Sequence, residues 1–330
     1  MITLPKVIAI VGPTACGKTD AGIAVARAVD GEVVSADSRT IYRGMNIGTA
    51  KPEGTRDYAV GADPNIGPVL GSERPLMIED IPHWGIDIAD PDEVYTVAEF
   101  QAYADKKIEE IIFRGHVPIL VGGTGLYIRA VIDRPTFAEV PPDPAFRAEV
   151  ATLSNAQLFD EIADRDPDGA SSLDENNRRR LERALEILRA TGKTLANSRS
   201  FEPKKYDAVM IGMEVPRDEL FARIDLRVDS MIAKGLVDEV RTLRAKYAVG
   251  VDPSIDPIYP NALTGIGYRQ ICEFLDGKSR LKDAITRIKF ASHHYAKRQE
   301  TWFKRDARIT WVKGARGAVD RAMTDFVIPT

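Results

Sequence analysis

The stretch "VGPTACGKTD", residues 11–20, constrains this chain more than any other. Gly12, Gly17, Lys18 and Thr19 keep the spacing G-x-x-x-x-G-K-[ST] of a phosphate-binding loop. The glycines let backbone N–H groups turn inward on phosphate oxygens. Lys18 adds a point charge, and the Thr19 hydroxyl is available to Mg²⁺. The flanks agree: "KVIAIV" before the loop is a short β-rich apolar run, and "DAGIAVARAV" after it repeats apolar residues at helical spacing. This predicts a strand, a loop made by Gly12, Pro13, Thr14, Ala15, Cys16, Gly17, Lys18 and Thr19, and a helix. Cys16 reads as a small side chain filling space in that loop.

Five segments read as buried strands: 6–11 "KVIAIV", 32–36 "EVVSA", 117–121 "VPILV", 208–214 "AVMIGME" and 308–312 "RITWV". Helical patterns separate them, which predicts an α/β, P-loop NTPase-like parallel sheet with helices on both faces. More than eighty residues separate the third strand from the fourth, too many for one crossover helix. Within them, "RPTFAEVPPDP" gives turn signals and "NRRRLERALEILRATGK" a helical run. Residues 131–200 therefore read as an inserted helical subdomain, with 1–130 and 201–330 forming the core. A second helical stretch, 216–304, precedes the last strand. Residues 52–79 are rich in Gly and Pro and read as a long surface loop, with room for a short hairpin.

Composition excludes several classes. With 44% hydrophobic and 28% charged residues the chain is neither disordered nor membrane-spanning. The first residues carry no signal-peptide pattern, so the cytoplasm is expected. Two cysteines, Cys16 and Cys272, exclude a disulfide scaffold and a four-cysteine zinc site. A net charge of −4 argues against a surface coated all over by nucleic acid. Two stretches are nonetheless basic: 178–205, with Arg178, Arg179, Arg180, Arg183, Arg189 and Arg199 among its cations, and 287–308. Each reads either as a local patch for a polyanion at one cleft or as a solvated helix face.

A phosphate loop alone leaves ATPase, GTPase, nucleotide kinase and other transferases open. The apolar strand ending in Asp that an ATPase needs is missing, because "PILV" runs into "GGTGLY". The acid at a core strand end near the loop is Asp37, in "VVSADSRTIYRG". In a parallel sheet it would face the same crevice as Lys18 and Thr19. There it can support Mg²⁺ through water or take a proton from a nucleophile; a turn aspartate is the plainer reading.

Further stretches occur in order across almost the whole chain: "GPTACGKT", "DSRTIYRGMNIGTAKP", "IPHWGIDIADPDEVYTVAEF", "GGTGLYIRA", "RRRLERALEI", "GIGYRQ" and "YAKRQETWFKRD". Together they closely resemble the tRNA dimethylallyltransferase (tRNA isopentenyltransferase) family. The resemblance implies transfer of a dimethylallyl group from dimethylallyl diphosphate to the exocyclic N6 amine of the adenosine 3′ of the anticodon. It implies that Gly12 to Thr19 hold diphosphate, that Mg²⁺ on Thr19 assists, that Asp37 is the general base and that Arg223 in "ARIDLRVDSM" helps hold diphosphate. It implies contacts with the tRNA anticodon stem-loop from Asp37, Ser38, Arg39, Thr40, Thr124, Arg147, Arg179, Arg180 and Arg183. No obligate protein partner and no membrane is indicated. The chain departs from the family's usual residues at Thr40 and Arg179, where Gln is common, and at Cys16, where Ser is common. An adenylate (AMP or ADP) isopentenyltransferase and a non-catalytic P-loop RNA-binding module are the alternatives.

Overall fold

The computed structural model describes residues 4–56, 73–137, 140, 143–196, 200–249 and 257–326. Arg199 and residues 57–72 of the Gly/Pro-rich stretch lie outside the described residues. The chain divides into two compact units, one of residues 1–132 and 205–330 and one of residues 133–204. No helix among the described residues is long and apolar enough to cross a membrane.

The first unit is built on a sheet whose strands are β1 (Lys6–Val11), β2 (Gly31–Ser35), β3 (Leu76–Ile78), β4 (Ile81–Trp84), β5 (Val117–Gly122), β6 (Asp207–Glu214) and β7 (Thr310–Lys313). Their spatial order is β3-β4-β2-β5-β1-β6-β7. All neighbours pair in parallel except β3 and β4, which are antiparallel. The sheet is therefore mixed at one edge, where a wholly parallel sheet was expected. The edge hairpin turns on Glu79 and Asp80, both at positive φ (49° and 67°). Two such residues match the right-handed twist of the strands they join.

The helices are α1 (Lys18–Val29), α2 (Val97–Phe113), α3 (Gly125–Asp133), α4 (Pro144–Val150), α5 (Asn155–Arg165), α6 (Pro167–Ser171), α7 (Arg178–Thr191), α8 (Arg217–Ala233), α9 (Leu236–Tyr247), α10 (Tyr268–Leu275), α11 (Leu281–Lys304) and α12 (Gly314–Phe326). Alternation along the central strands sends side chains to opposite faces. Val7, Ala9 and Val11 join Phe100, Ala104 and Ile108 of α2 and Ile128 of α3 in one core cluster. Ile8 and Ile10 join Ala21 and Val25 of α1, Leu220 and Ile224 of α8 and Ala318 of α12 in another. A third cluster unites α8–α11 with Ile41, Tyr42 and Met45.

The second unit has its own core, in which Phe146, Val150, Leu158, Ile162, Leu181, Leu185 and Leu188 are buried among α4–α7. Local signals punctuate it: Ser154 and Gln157 form a capping box on α5, and the Asn177 side chain caps α7. Its two chain passages meet at the start and end of the unit. Arg134 pairs with Glu202, the Thr136 N–H donates to the Ser200 carbonyl at 2.8 Å, and Pro135 bridges Phe201.

Candidate active site

Register positions the site. Ser35 of β2 lies beside Val121 of β5, and Val11 of β1 beside Gly122. The carboxyl ends of three adjacent strands thus finish level, where α/β sheets bind ligands. A Cβ on Gly122 would lie 2.0 Å from the Ala36 carbonyl oxygen. Only glycine lets the strand end before Asp37 close on the loop after β5.

The phosphate loop leaves β1 with Gly12, Ala15 and Gly17 at positive φ (149°, 65° and 88°) and enters α1 at Lys18. Alternating backbone of this kind, ending at a helix N-terminus, aims N–H groups at an anion. Lys18 Nζ donates to the Pro13 carbonyl at 2.7 Å and lies 3.9 Å from Cys16 Sγ. Cys16 itself is buried. Two cavities open beside the loop. One, of about 180 Å³, is lined by Lys18, Thr19, Ser35, Thr40 and His83 among others; the wider, of about 520 Å³, is lined by Ser38, Arg39, Ile224, Met231 and Arg298 among others. Thr14, Asp37, Arg227 and Tyr295 line both.

Asp37 makes a turn bond through one carboxylate oxygen and lines both cavities. Its Oδ1 accepts the Arg39 N–H at 2.8 Å, a turn bond that fixes the side chain. Among the described residues no donor reaches Oδ2, and Asp37 makes no ion pair. Next to it, the Ser38 N–H donates to Thr124 Oγ1 at 3.0 Å, tying the end of β2 to the "GGTG" loop. The Thr40 hydroxyl points inward, 3.2 Å from Ser35 Oγ, so this residue forms cavity floor. Arg39 reaches the other way and donates to the Asn261 and Ala262 carbonyls, each at 3.2 Å.

The two arginines of "ARIDLR" part company. Arg223 lines neither cavity and pairs with Glu219 one turn back on α8. Arg227, one turn on, stands at the cleft with Nη1 3.4 Å from Thr14 Oγ1. It stays accessible to solvent, yet desolvation lowers its pKa; both hold for a side chain in the wall of an open cleft. Lys18, Arg39, Arg227 and Arg298 all line the cavities and make no ion pair among the described residues. The family resemblance pointed to Arg223; the geometry puts Arg227 at the phosphate loop. The signal available was the i, i+4 repeat itself, which places both arginines near one face of α8.

Two further cavity residues carried no assigned role in the sequence. His83 is 4% exposed, and burial lowers its pKa to about 4, so its imidazole is neutral near pH 7. Its Nδ1–H donates to the Ile81 carbonyl at 2.9 Å, which leaves Nε2 as an acceptor. Tyr295 of α11 is pushed up to about 12, first by burial and then by the charge of Asp37, and stays a neutral phenol. Among the described residues no group of three or more His, Cys, Asp or Glu converges as a metal cage. The smaller cavity instead offers the Thr19 hydroxyl with the carboxylates of Asp20 and Asp37 in its wall. That sparse oxygen set suits Mg²⁺, which keeps several waters and takes further oxygens from a bound diphosphate.

The remaining tRNA-contact expectations fall in the second unit, where several arginines are already matched. Arg183 and Arg147 both pair with Glu186, at 2.6 and 3.5 Å. Arg178 pairs with Glu182, and Arg189 with Glu149 and Glu161. Arg179 and Arg180 are exposed at the start of α7, and Arg180 makes no ion pair among the described residues.

A phosphate loop, a carboxylate at the neighbouring strand end and several cations without acid partners define an α/β protein of the P-loop class with a cleft suited to a phosphorylated ligand. The family model for IPPT, IPP transferase, matches residues 69–306, and the chain belongs to this family. It is 40% identical over 313 residues to the tRNA dimethylallyltransferase of Halalkalibacterium halodurans, covering 93% of this chain and 90% of the relative. It is 42% identical over 302 residues to that of Roseiflexus sp., covering 90% of each. Among solved structures, the tRNA isopentenylpyrophosphate transferase from Bacillus halodurans is 38% identical with a TM-score of 0.63, over 93% of this chain and 89% of that one. A eukaryotic dimethylallyltransferase acting on tRNA is 27% identical with a TM-score of 0.72, over 98% and 76%.

Proposed function

We propose that the chain transfers the dimethylallyl group of dimethylallyl diphosphate to N6 of the adenosine 3′ of the anticodon in tRNA, releasing diphosphate. The observation that supports this reading is one cleft lined by Lys18 and Arg227 at the phosphate loop and by Asp37, whose Oδ2 no donor reaches among the described residues. Family membership supplies the substrates.

The chemistry follows from charge. The C1–O bond of an allylic diphosphate breaks with positive charge spread over the allyl system and negative charge gathering on the leaving group. The loop N–H groups, Lys18 and Arg227 stabilise that departing anion from fixed positions. The N6 nitrogen bonds to C1 and becomes acidic as it does so; Asp37 Oδ2 takes the proton. General-base help of this kind contributes ~10²–10⁴-fold. Thr19, with Asp20 through water, would hold Mg²⁺, which when bound supplies further charge for the diphosphate. Ile224, Val228, Met231 and Ile288 give the wider cavity an apolar flank suited to the isoprenoid. The adenosine leaves the anticodon-loop stack to reach the cleft, at a cost of a few kcal/mol. In the second unit Arg179 and Arg180 are the side chains we assign to the RNA backbone.

The test is incubation with dimethylallyl diphosphate and unmodified tRNA, in parallel with AMP, followed by nucleoside mass analysis. Prenylated tRNA adenosine is expected. Product from AMP alone would move the chain to the adenylate transferases, and product from neither would leave a binding module.

A further inference from the structure

The "YAKRQETWFKRD" stretch contributes a side chain that the chemistry above leaves unused. Gln299 of α11 is 7% exposed and lies between the two loops that flank the cleft. Its Oε1 accepts the Thr14 N–H at 2.8 Å, and its Nε2 donates to the Gly123 carbonyl at 2.8 Å. The approach is close enough that a Cβ on Gly123 would lie 2.3 Å from Nε2. A side chain at position 123 would have to displace the Gln299 amide from its present place.

Both anchoring points matter to the reaction. Thr14 belongs to the diphosphate loop and touches Arg227 through its hydroxyl. Gly123 precedes Thr124, whose Oγ1 accepts the N–H of Ser38, the residue after Asp37. One amide therefore spans the gap between the loop that receives the leaving group and the loop that fixes the base. It also turns the Thr14 N–H away from the anion, which selects the loop amides left to face the diphosphate. We propose that Gln299 is a positioning residue: it sets the separation between the diphosphate cradle and Asp37, and touches no reacting atom. This rests on the transferase reading above. In-line transfer needs C1, N6 and the base held together, and a misplacement of ~1 Å costs on the order of 10²-fold.

Two variants test it, Gln299→Met and Gln299→Glu, each checked by circular dichroism to be folded under assay conditions. Gln299→Met keeps length and loses both bonds. Its kcat at saturating substrates is expected to fall ~10–10²-fold, with KM for dimethylallyl diphosphate and for tRNA within about threefold. Gln299→Glu accepts from Thr14 when ionised but donates to Gly123 only when protonated, when it reproduces the amide's pattern. Its kcat relative to wild type should therefore rise as pH falls, a recovery that a purely structural role gives no reason to expect in folded enzyme. A kcat within twofold of wild type for Gln299→Met, or a pH-independent ratio for Gln299→Glu, overturns the positioning role. Absence of transfer by the wild-type enzyme overturns the transferase reading and this role with it.

Discussion

The cleft of the first unit and the α7 surface of the second treat charge in opposite ways. At the cleft, Lys18, Arg39, Arg227 and Arg298 are left without acid partners, and Asp37 without a cation. In the second unit Arg147, Arg178, Arg183 and Arg189 each have a carboxylate within 4 Å, and Glu186 serves two of them. Surface pairs of this kind add little stability, but they neutralise the local field. A run of arginines in sequence is thus a poor measure of the charge shown to a polyanion. Charges left unmatched beside a phosphate loop are a better guide, since they remain available to an anion from outside the chain.

The strongest way to break this contrast is at Asp37. Asp37→Asn keeps the turn acceptor and removes the base, so single-turnover transfer should drop ~10²–10⁴-fold with both substrates still binding. A rate within a few-fold of wild type would strip the unpaired carboxylate of its role.

Next in size is the arginine pair of α8. Arg227→Ala should lower kcat ~10²–10³-fold, the loss typical of one preorganised donor to a developing anion. Arg223→Ala removes only an exposed pair with Glu219 and should stay within a few-fold. Steady-state kinetics that reverse this ranking would return the diphosphate role to Arg223.

Acid separates the two units through different groups. Burial holds His83 neutral down to about pH 4 in the native state, whereas the unfolded chain takes up that proton below about 6.5. Its share of stability is therefore complete above 6.5 and lost as pH falls towards 4, roughly 3 kcal/mol in all. In the second unit, burial of Glu186 favours its neutral form, but the Asp143 N–H, Arg183 and Arg147 outweigh that and lower its pKa. Its contribution holds above 4.5 and fades as pH falls through the lowered value. Trp84, Trp302 and Trp311 all lie in the first unit, so tryptophan emission follows that unit alone. Chemical unfolding followed by emission should weaken from pH 6.5 to 4, and Gln in place of His83 should flatten that slope; an unchanged slope removes His83 from the account.

The smallest effect is expected on RNA affinity. Arg180→Ala should weaken tRNA binding and reduce the log–log salt slope by roughly 0.7–0.9, one phosphate contact. Arg183→Ala, already paired with Glu186, should change the slope less. Filter binding across a salt series decides between them, and equal slopes for both variants and wild type would withdraw the RNA role of α7.

What was legible in the sequence was local. The phosphate loop announces itself through glycine spacing, and Asp37 through its place at the end of a β-rich run. The arginine ranking was not legible, because Arg223 and Arg227 share a face of α8 and differ only in which turn reaches Thr14 once the helix packs through Leu220, Ile224 and Val228. The neutralised arginines were hidden for a related reason: Arg189 finds its acids on α4 and α5, far away in the chain. The sequence left room for a short hairpin but did not locate it, because β3 and β4 are too short to show a period and its turn uses Glu79 and Asp80 where Asn-Gly would have marked it. Gln299 lay inside a quoted motif, but a strut between two loops exists only once both loops are folded.

The joined passages of residues 134–136 and 200–202 bear on how such a chain tolerates change. Polypeptide that leaves and returns through one doorway presents the sheet with a connection whose ends are already held together. Lengthening or shortening what lies beyond costs the sheet only a slowly growing loop-closure entropy. The second unit is thus a detachable module in thermodynamic terms: its length and its helices can change while β5 and β6 keep the same neighbour, β1. Change within the insertion is thereby uncoupled from change in the sheet.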